Sequence, residues 1–225
     1  DLCLDVLNDF LCRRDPAWPL ASTHVGSLGG IMALRDGMCH LAGSHLLDPE
    51  DGSYNTSYLR RYLPDRDIRM LTLVHREQGF IVPRGNPRGI KTIHDLFQDG
   101  LMFINRQAGS GTRVLLDYEL SRNGLDPDGI RGYDQDEYTH MAVAVAVLSG
   151  KADTGLGIQS AANALGLDFV PLVEERYDLL IPGEYWDEPM IQAVREVIAT
   201  PLFRETVERM GGYSTRDTGT VQPAA

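Results

Sequence analysis

Two glycine-flanked serines are the residues whose type and spacing best suit ligand chemistry. Ser27 follows Gly26, and Ser110 lies between Gly109 and Gly111. An apolar stretch with helical periodicity follows each serine, so each lies at a predicted helix start. A helix start presents unpaired backbone N–H groups and the positive end of the helix dipole, to which a serine adds a hydroxyl donor. Both turns therefore predict anion-binding sites.

Further polar residues extend the second turn and mark a third predicted helix start. Thr112 follows the second turn, and Arg106 and Arg113 flank it. Either arginine could contact an anion, and the alternative is a solvated or salt-bridged surface arginine. Thr139 and His140 stand at the head of another predicted helix. They form a third candidate site of the same kind.

A purely structural role is the competing interpretation of the two serines. Serine is a preferred N-cap residue, because its hydroxyl accepts a hydrogen bond from a backbone N–H of the first helical turn. The same arrangement occurs twice, however, each time after a predicted strand in a separate α/β segment. This repetition favours one anion shared between two lobes by Ser27 and Ser110.

Common catalytic motifs are missing from the sequence. A nucleophile elbow needs a glycine two residues before the serine, where Val25 and Ala108 stand. The sequence contains no Gly-Lys-Ser/Thr Walker loop and no HExxH, and residues 155–157 (GLG) lack the third glycine of a dinucleotide turn. We therefore predict a binding protein rather than an enzyme, without a metal site or a cofactor.

Composition and charge exclude several classes of partner. The chain has 225 residues, 43% of them hydrophobic, which suffices for one large or two small cores. A net charge of −11 repels nucleic acid and anionic lipid, so we expect DNA binding only through a separate domain outside this chain. No apolar run reaches the roughly 20 residues of a membrane helix. Three cysteines without CxxC spacing favour a reducing compartment, so we predict a cytoplasmic protein, and a homodimer stays open.

Strands that alternate with helices predict an α/β fold with parallel sheets. The sequence opens within a predicted helix with no strand before it, so we expect a further N-terminal segment outside this chain. A turn is predicted at residues 48–52. The predicted strands are residues 20–25, 39–47, 68–74, 80–82, 101–105, 152–158, 169–172 and 177–181, and the main helices are residues 2–11, 113–122, 141–148, 159–165, 190–199 and 201–210.

Seven sequence motifs together resemble a known family. They are residues 26–30 (GSLGG), 42–46 (AGSHL), 76–79 (REQG), 85–87 (GNP), 105–113 (NRQAGSGTR), 138–140 (YTH) and 175–179 (ERYDL). The sequence resembles the periplasmic-binding-protein-like (PBP-like) domain related to periplasmic molybdate-binding proteins. That family occurs as the sensor half of molybdate- or tungstate-responsive transcription regulators and as an appended domain in molybdenum-cofactor biosynthesis proteins. The similarity runs over nearly the whole chain, and NRQAGSGTR is long enough to be specific.

The resemblance implies a type II periplasmic-binding-protein fold, with two Rossmann-like lobes joined by two crossover strands. Lobe 1 would comprise residues 1–78 and 179–225, and lobe 2 residues 79–178. The resemblance also implies an oxyanion sensor in transcription regulation that binds tungstate or molybdate. The alternatives are a molybdate-binding domain of a molybdenum-cofactor biosynthesis enzyme and an organic-anion sensor. The expected ligand residues are Gly26, Ser27, Gly109, Ser110, Gly111, Thr112, Thr139 and His140, with Arg106, Arg113 and Tyr177 as further candidates.

Because these groups are hydrogen-bond donors, they predict selectivity between fully deprotonated and protonated oxyanions. A fully deprotonated tetrahedral dianion offers only acceptors, whereas phosphate near neutral pH keeps a proton that needs an acceptor. A shell of hydroxyl and N–H donors would therefore favour tungstate or molybdate over phosphate. Asp134, Asp136 or Asp153 would remove this selectivity if one of them supplied the acceptor.

Overall fold

Two long strands connect two units of the chain. The computed structural model describes residues 1–48 and 52–223, so residues 49–51 of the predicted turn lie outside the described part. Unit 1 consists of Asp1–His75 and Arg176–Ala225, and unit 2 of Arg76–Glu175. The boundaries between the units fall within two strands of 15 residues each, one on either side of unit 2.

Helices and strands alternate along the described residues, as predicted for an α/β fold. The α-helices are α1 (Leu2–Arg14), α2 (Gly26–Arg35), α3 (Thr56–Tyr62), α4 (Gly111–Arg122), α5 (His140–Leu148), α6 (Gln159–Ala164), α7 (Pro189–Ala199) and α8 (Pro201–Arg209). The strands are β1 (Ala42–Ser44), β2 (Ile68–Val82), β3 (Phe103–Arg106), β4 (Asp136–Glu137), β5 (Thr154–Ile158), β6 (Asp168–Pro182), β7 (Tyr213–Ser214) and β8 (Val221–Gln222). Short 3-10 helices occur at Ile93–Phe97, Pro127–Gly129 and Gly183–Tyr185.

In unit 1 the sheet contains antiparallel pairs. β1 pairs with β6, where Ser44 lies opposite Asp178, and β8 pairs with β2, where Met70 lies opposite Gln222. Helices α1, α7 and α8 pack against one another. The apolar residues of α7 recur at helical spacing and form one buried face, which holds this helix in the core of the unit.

In unit 2 the two pairs made by β3 are parallel. β3 runs parallel to β5, with Phe103 opposite Thr154, and parallel to β4. β5 and β2 are antiparallel, with Gly79 opposite Gly157. The prediction of parallel sheets is therefore wrong for β1, β2, β6 and β8. The connecting strands β2 and β6 pair antiparallel with β5 and β1, whereas β3 pairs parallel with β4 and β5. The strand pairing is therefore mixed.

The predicted breaks inside the two connecting strands are absent. Polar residues 76–79 were expected to separate two short strands, but they lie inside β2. Arg76 is buried against Glu175 of β6, and the buried Gln78 donates to Thr112. Buried partners replace solvent for these polar groups, so their presence does not end the strand. β6 is likewise continuous through residues 173–176, between the two predicted strands.

The strand predicted at residues 39–47 is reduced to β1. Beyond it, the Leu46 N–H donates to Asn55 Oδ1 at 2.9 Å rather than to a neighbouring strand. Ser44 Oγ donates to the same oxygen at 2.7 Å. A side chain therefore takes the place of a strand partner, and β1 ends at Ser44.

A buried carboxylate joins three segments of unit 1. Asp178 accepts hydrogen bonds from Asn55 Nδ2 at 2.9 Å, from Thr72 Oγ1 at 3.0 Å and from Arg176 Nε at 3.0 Å. Burial raises the pKa of the Asp178 carboxyl, against the opposing effect of Arg176 and the other donors. The network ties the segment after β1 to both connecting strands.

Replacing Gly79 by alanine is expected to destabilise unit 2 by about 1–3 kcal/mol, because the added methyl overpacks the sheet. A Cβ at this position would clash with the Val170 carbonyl oxygen and lie 2.9 Å from Pro171 Cα, and backbone atoms cannot turn away. Denaturant unfolding would measure the loss. Glu77→Ala, two residues earlier in β2, is the matched control and should stay within about 0.5 kcal/mol. Equal stability of the two variants would contradict the close approach.

Candidate functional site

The start of α4 in unit 2 presents a concentrated group of donors. Gly109 adopts a left-handed φ of 80° in the turn between β3 and α4. Ser110 is 2% exposed and is the N-cap residue, since its Oγ accepts from the Arg113 N–H at 3.2 Å. The capping role of Ser110 is confirmed. In this cap the Ser110 hydroxyl oxygen is the acceptor, so the hydroxyl hydrogen is still available to donate.

Backbone donors next to Ser110 find no acceptor in the described part of the chain. No hydrogen bond among these residues uses the N–H of Gly111 or Thr112. Thr112 is buried, and its Oγ1 accepts from Gln78 Nε2 at 2.7 Å. This contact leaves the Thr112 hydroxyl hydrogen to donate as well. The α4 start therefore offers two hydroxyl and two backbone donors.

Gln78 is a residue of this region that the sequence analysis missed. Its side chain is completely buried and reaches the second residue of α4, whereas its Oε1 has no hydrogen-bond partner among the described residues. The available signal is a polar side chain within a β-rich stretch, but such a side chain also indicates a break between strands. The contact with Thr112 spans 34 positions of sequence, which local patterns do not predict.

The start of α5 provides a second donor group in unit 2. β3 and β4 are parallel neighbours, so the helices that follow them begin at the same edge of the sheet. Thr139 is the N-cap residue, and its Oγ1 accepts from the Ala142 N–H at 3.0 Å. Within the described residues, the Met141 N–H has no acceptor. His140 is 8% exposed at the first position of the helix.

Arg106 links the end of β3 to the start of α5. Its Nη2 donates to the Tyr138 carbonyl oxygen and its Nε to the Glu137 carbonyl oxygen, both at 3.1 Å. Its Nη1 lies 3.0 Å from His140 Nδ1. The side chain is 6% exposed, so these contacts hold the guanidinium within unit 2. All three of its nitrogens have protein partners.

Arg113 is occupied on the other side of the turn. Its Nε pairs with Asp117 at 3.1 Å, and its guanidinium lies 3.9 Å from the centre of the Tyr133 ring. The Tyr133 hydroxyl donates to Asp117 at 2.6 Å. Burial and this bond raise the pKa of Tyr133. The contacts match the salt-bridged alternative considered for Arg113.

Ser27 lies in unit 1 and is not an N-cap residue. α2 begins at Gly26, and its cap residue, Val25, makes no side-chain hydrogen bond. Residues 20–25 form no strand, so the predicted strand before this serine is absent. Ser27 is 3% exposed, and its Oγ accepts from the His45 N–H at 3.3 Å. The N–H groups of Ser27 and Leu28 have no acceptor among the described residues.

Tyr177 lies beside the same segment of unit 1. It is 5% exposed, and its ring centre is 5.7 Å from that of His45. The phenol occupies the space above Gly43, where any Cβ would clash with the Tyr177 hydroxyl oxygen. Glycine at position 43 is therefore what admits this phenol next to β1.

The three aspartates that could supply an acceptor lie elsewhere in unit 2. Asp153 accepts from the Met102 N–H at 2.7 Å and pairs with Arg88. It precedes β5, at the amino ends of β3 and β5, whereas α4 begins beyond the carboxyl end of β3. Asp134 and Asp136 are exposed. No contact between these carboxylates and the α4 start occurs among the described residues.

Comparison with known families identifies the class of the protein. A family model described as a PBP superfamily domain matches residues 9–199. The chain belongs to the PBP-like family. The YvgK protein of Bacillus subtilis (strain 168) is 35% identical over 221 residues, which cover 98% of this chain and 71% of YvgK. A Clostridium pasteurianum protein from the 5′ region of the ferredoxin 2Fe-2S gene is 34% identical over 109 residues, 48% of this chain and 96% of that protein.

Solved structures of binding proteins share the fold of this PBP-like domain. A Clostridium perfringens protein described as a phosphate ABC transporter substrate-binding protein, with bound phosphate, has a TM-score of 0.67 at 12% identity, over 92% of both chains. An ABC-type phosphate transport receptor from Vibrio cholerae has a TM-score of 0.58 at 16% identity, over 94% of both chains. The arginine-, lysine-, histidine-binding protein ArtJ from Geobacillus stearothermophilus has a TM-score of 0.57 at 14% identity, over 93% of this chain and 85% of ArtJ. The predicted type II periplasmic-binding-protein fold is confirmed.

Two further features are absent from residues 1–48 and 52–223. No helix there has the length and hydrophobicity to cross a membrane. No three His, Cys, Asp or Glu side chains there lie close enough together to hold a metal ion.

Proposed function

We propose that this PBP-like domain is the ligand-sensing part of a transcription regulator and that it binds tungstate or molybdate without catalysing a reaction. The observation that carries the proposal is the α4 start, where the Ser110 and Thr112 hydroxyls and the Gly111 and Thr112 N–H groups are available as donors. A fully deprotonated tetrahedral dianion can accept from all of them. The resemblance of residues 105–113 to the molybdate-related family supports this choice of anion.

Each unit is proposed to contribute anion donors of its own. In unit 1 these are the Ser27 hydroxyl and the first N–H groups of α2, and in unit 2 the starts of α4 and α5. Hydrogen bonds to a charged group contribute about 1.5–3 kcal/mol each. About six of them are compatible with nanomolar binding, about −12 kcal/mol, after the costs of association are subtracted.

This mode of binding needs no unpaired arginine or lysine. Arg106 and Arg113 already bind protein groups in unit 2. Backbone dipoles and hydroxyl groups at helix starts supply the positive potential instead. A chain with a net charge of −11 can therefore still bind a dianion. A molybdate-binding domain of a cofactor-biosynthesis enzyme would use the same donors and differ in the attached domain.

Calorimetric titration of the chain with tungstate, molybdate, sulfate, phosphate and a panel of carboxylates tests the proposal. We expect nanomolar dissociation constants for tungstate or molybdate and binding about 5- to 150-fold weaker for phosphate, since burying the phosphate proton without an acceptor costs about 1–3 kcal/mol. Preferential binding of a carboxylate would favour the organic-anion sensor. Absence of heat with every oxyanion would exclude the proposal.

Replacing Ser110 by alanine is expected to weaken tungstate or molybdate binding about 5- to 150-fold, which corresponds to a loss of about 1–3 kcal/mol from one donor to a charged group. Titration calorimetry gives the affinity, and denaturant unfolding separates it from the lost helix cap. Ser121→Ala, an exposed serine near the other end of α4, is the matched control. Identical affinities of the two variants would restrict Ser110 to its capping role.

A further inference from the structure

We propose that Gln78 is a positioning residue that makes the Thr112 hydroxyl a hydrogen-bond donor toward a bound oxyanion. The inference rests on the proposed oxyanion function and assigns one origin of its selectivity. Its basis is the hydrogen bond of 2.7 Å that Gln78 Nε2 donates to Thr112 Oγ1 within unit 2. The two residues are 0% and 1% exposed, so water does not compete for this bond.

The bond between these side chains determines which part of the hydroxyl is left for a ligand. A hydroxyl has one hydrogen to donate and lone pairs that accept. An amide N–H can only donate, so the Thr112 hydrogen cannot point at Gln78 Nε2. Among the described residues, the Thr112 hydroxyl donates to no acceptor. A bound dianion would supply the acceptor that this hydrogen lacks.

The Thr112 hydroxyl lies at the same helix start as the other donors of unit 2. Thr112 is the second residue of α4, and in the described part of the chain the Gly111 and Thr112 N–H groups have no acceptor. Ser110, the N-cap residue, keeps its own hydroxyl hydrogen to donate. Because Gln78 turns the Thr112 hydrogen away from β2, the hydroxyl joins a group that offers donors alone.

The unsatisfied oxygen of Gln78 indicates that this side chain does more than stabilise the fold. Gln78 is completely buried in β2, and its Oε1 has no hydrogen-bond partner among the described residues. A buried carbonyl oxygen without a partner costs free energy, and native proteins keep few such groups. Across the β2–β5 pair the residue opposite Gln78 is Ile158, whose side chain cannot bond to an amide. A methionine would fill this position without that cost, so the donor to Thr112 is what the amide contributes.

An acceptor at position 78 would reverse the role of Thr112. A carboxylate there would take the Thr112 hydrogen and leave a lone pair of Oγ1 for the ligand. This lone pair would repel the oxygens of tungstate, but it would accept the proton of hydrogen phosphate. The amide therefore disfavours ligands that must donate a proton, and it does so through Thr112 without touching the ligand.

Gln78→Glu tests this reversal. At about pH 9 a buried glutamate is largely ionised, and tungstate and hydrogen phosphate are both dianions, so the added charge cancels in the ratio of their dissociation constants. Titration calorimetry measures both constants. We expect the disadvantage of phosphate, about 5- to 150-fold in the wild-type chain, to shrink at least about fivefold in this variant.

A second buried-to-exposed comparison supplies the control. Gln98 is half-buried, and its amide donates to the Arg88 carbonyl oxygen at 3.2 Å, before the amino end of β3. Gln98→Glu introduces the same charge into unit 2 and should keep the wild-type ratio. An equal change of the ratio in both variants would show that charge alone causes it, and the proposal would be overturned.

The effect must depend on the Thr112 hydroxyl. In Thr112→Val, which lacks the hydroxyl, adding Gln78→Glu should leave the ratio of the two dissociation constants unchanged. In Thr112→Ser, which keeps a hydroxyl, the ratio should shrink as it does in the wild-type chain. A ratio that shrinks equally without the hydroxyl would mean that the new carboxylate accepts the phosphate proton itself, which would overturn the positioning role.

Gln78→Met keeps the proposal testable if a buried carboxylate prevents folding. It removes both the amide donor and the unsatisfied oxygen, so the melting temperature should stay within about 3 °C of the wild-type value. Tungstate binding should weaken about two- to fivefold, since the released hydroxyl can occupy three staggered positions. The same substitution in Thr112→Val should not weaken binding further. An equal loss with and without the hydroxyl, or a lower melting temperature with unchanged affinity, would overturn the proposal.

The outcomes separate this inference from the proposed function. A wild-type chain that binds no oxyanion would exclude the oxyanion function and this inference with it. A chain that binds tungstate and phosphate equally well would overturn the inference but leave oxyanion binding intact. A selective chain whose ratio is unchanged in Gln78→Glu would likewise overturn the inference alone.

Discussion

Replacing Glu175 by alanine is expected to destabilise the protein by about 3–5 kcal/mol, because it leaves a buried arginine without its counter-ion. Arg76 Nε pairs with Glu175 Oε1, and the two side chains are 1% and 2% exposed. At about 2–4 °C per kcal/mol for a chain of this size, the melting temperature should fall by about 6–20 °C. Calorimetric or fluorescence-detected thermal unfolding would measure it.

Two further variants isolate the cause of that loss. Glu174→Ala removes the neighbouring, exposed glutamate and should change stability by no more than about 0.5 kcal/mol. The double variant Arg76→Met/Glu175→Leu removes both charges and should recover much of the stability, since apolar residues can replace a buried ion pair. A Glu175→Ala variant as stable as the control would mean that Arg76 is compensated by other groups.

Tungstate or molybdate at 1,000 times its dissociation constant is expected to stabilise the chain by about 4 kcal/mol, because it binds only the folded state. The corresponding rise in melting temperature is about 8–16 °C. Phosphate at the same concentration should give a smaller rise, because binding about 5- to 150-fold weaker leaves only about 1–3 kcal/mol of stabilisation. Its proton would meet the Ser110 and Thr112 donors with no acceptor to receive it. Thermal unfolding with each anion is the measurement.

A phosphate shift as large as the tungstate shift would show that an acceptor reaches the ligand. The candidates are then Asp134, Asp136 and the side-chain oxygen of Gln78, which is buried and has no partner among the described residues. Ser110→Ala in the same experiment should reduce the tungstate shift. A reduction that also appears in Ser121→Ala would instead indicate a general effect on α4.

Features encoded in adjacent residues were predictable from the sequence. The order of a strand, a glycine-serine turn and an amphipathic helix places Ser110 at the start of α4 as predicted, because capping and glycine geometry act within a few residues. The helices α5, α7 and α8 begin within one residue of their predicted starts for the same reason. The prediction that both serines follow strands failed at Ser27, where residues 21–25 remain irregular.

Features that depend on distant partners were not predictable. In the sequence, the polar residues Arg76 and Gln78 are typical of a loop. They fit inside a strand because their side chains bond to Glu175 and Thr112, which are distant in sequence. The end of β1 depends on Asn55, whose amide in turn bonds to a carboxylate 123 positions away. Arginine is a residue type that often binds anions. Only the structure shows that the Arg106 side chain instead binds two carbonyl oxygens and His140. No alternation of polar and apolar residues specifies such contacts.

The insertion of unit 2 within unit 1 constrains how the chain can fold as it is synthesised. The residues of β1 leave the ribosome long before their partners in β6, since Ala42 pairs with Leu180. Unit 2 is one continuous stretch of chain and can complete its core as soon as Glu175 has emerged. We therefore expect unit 2 to form first, and the N-terminal segment of unit 1 to wait for the returning strand, a non-local pairing that slows folding and exposes apolar surface to chaperones.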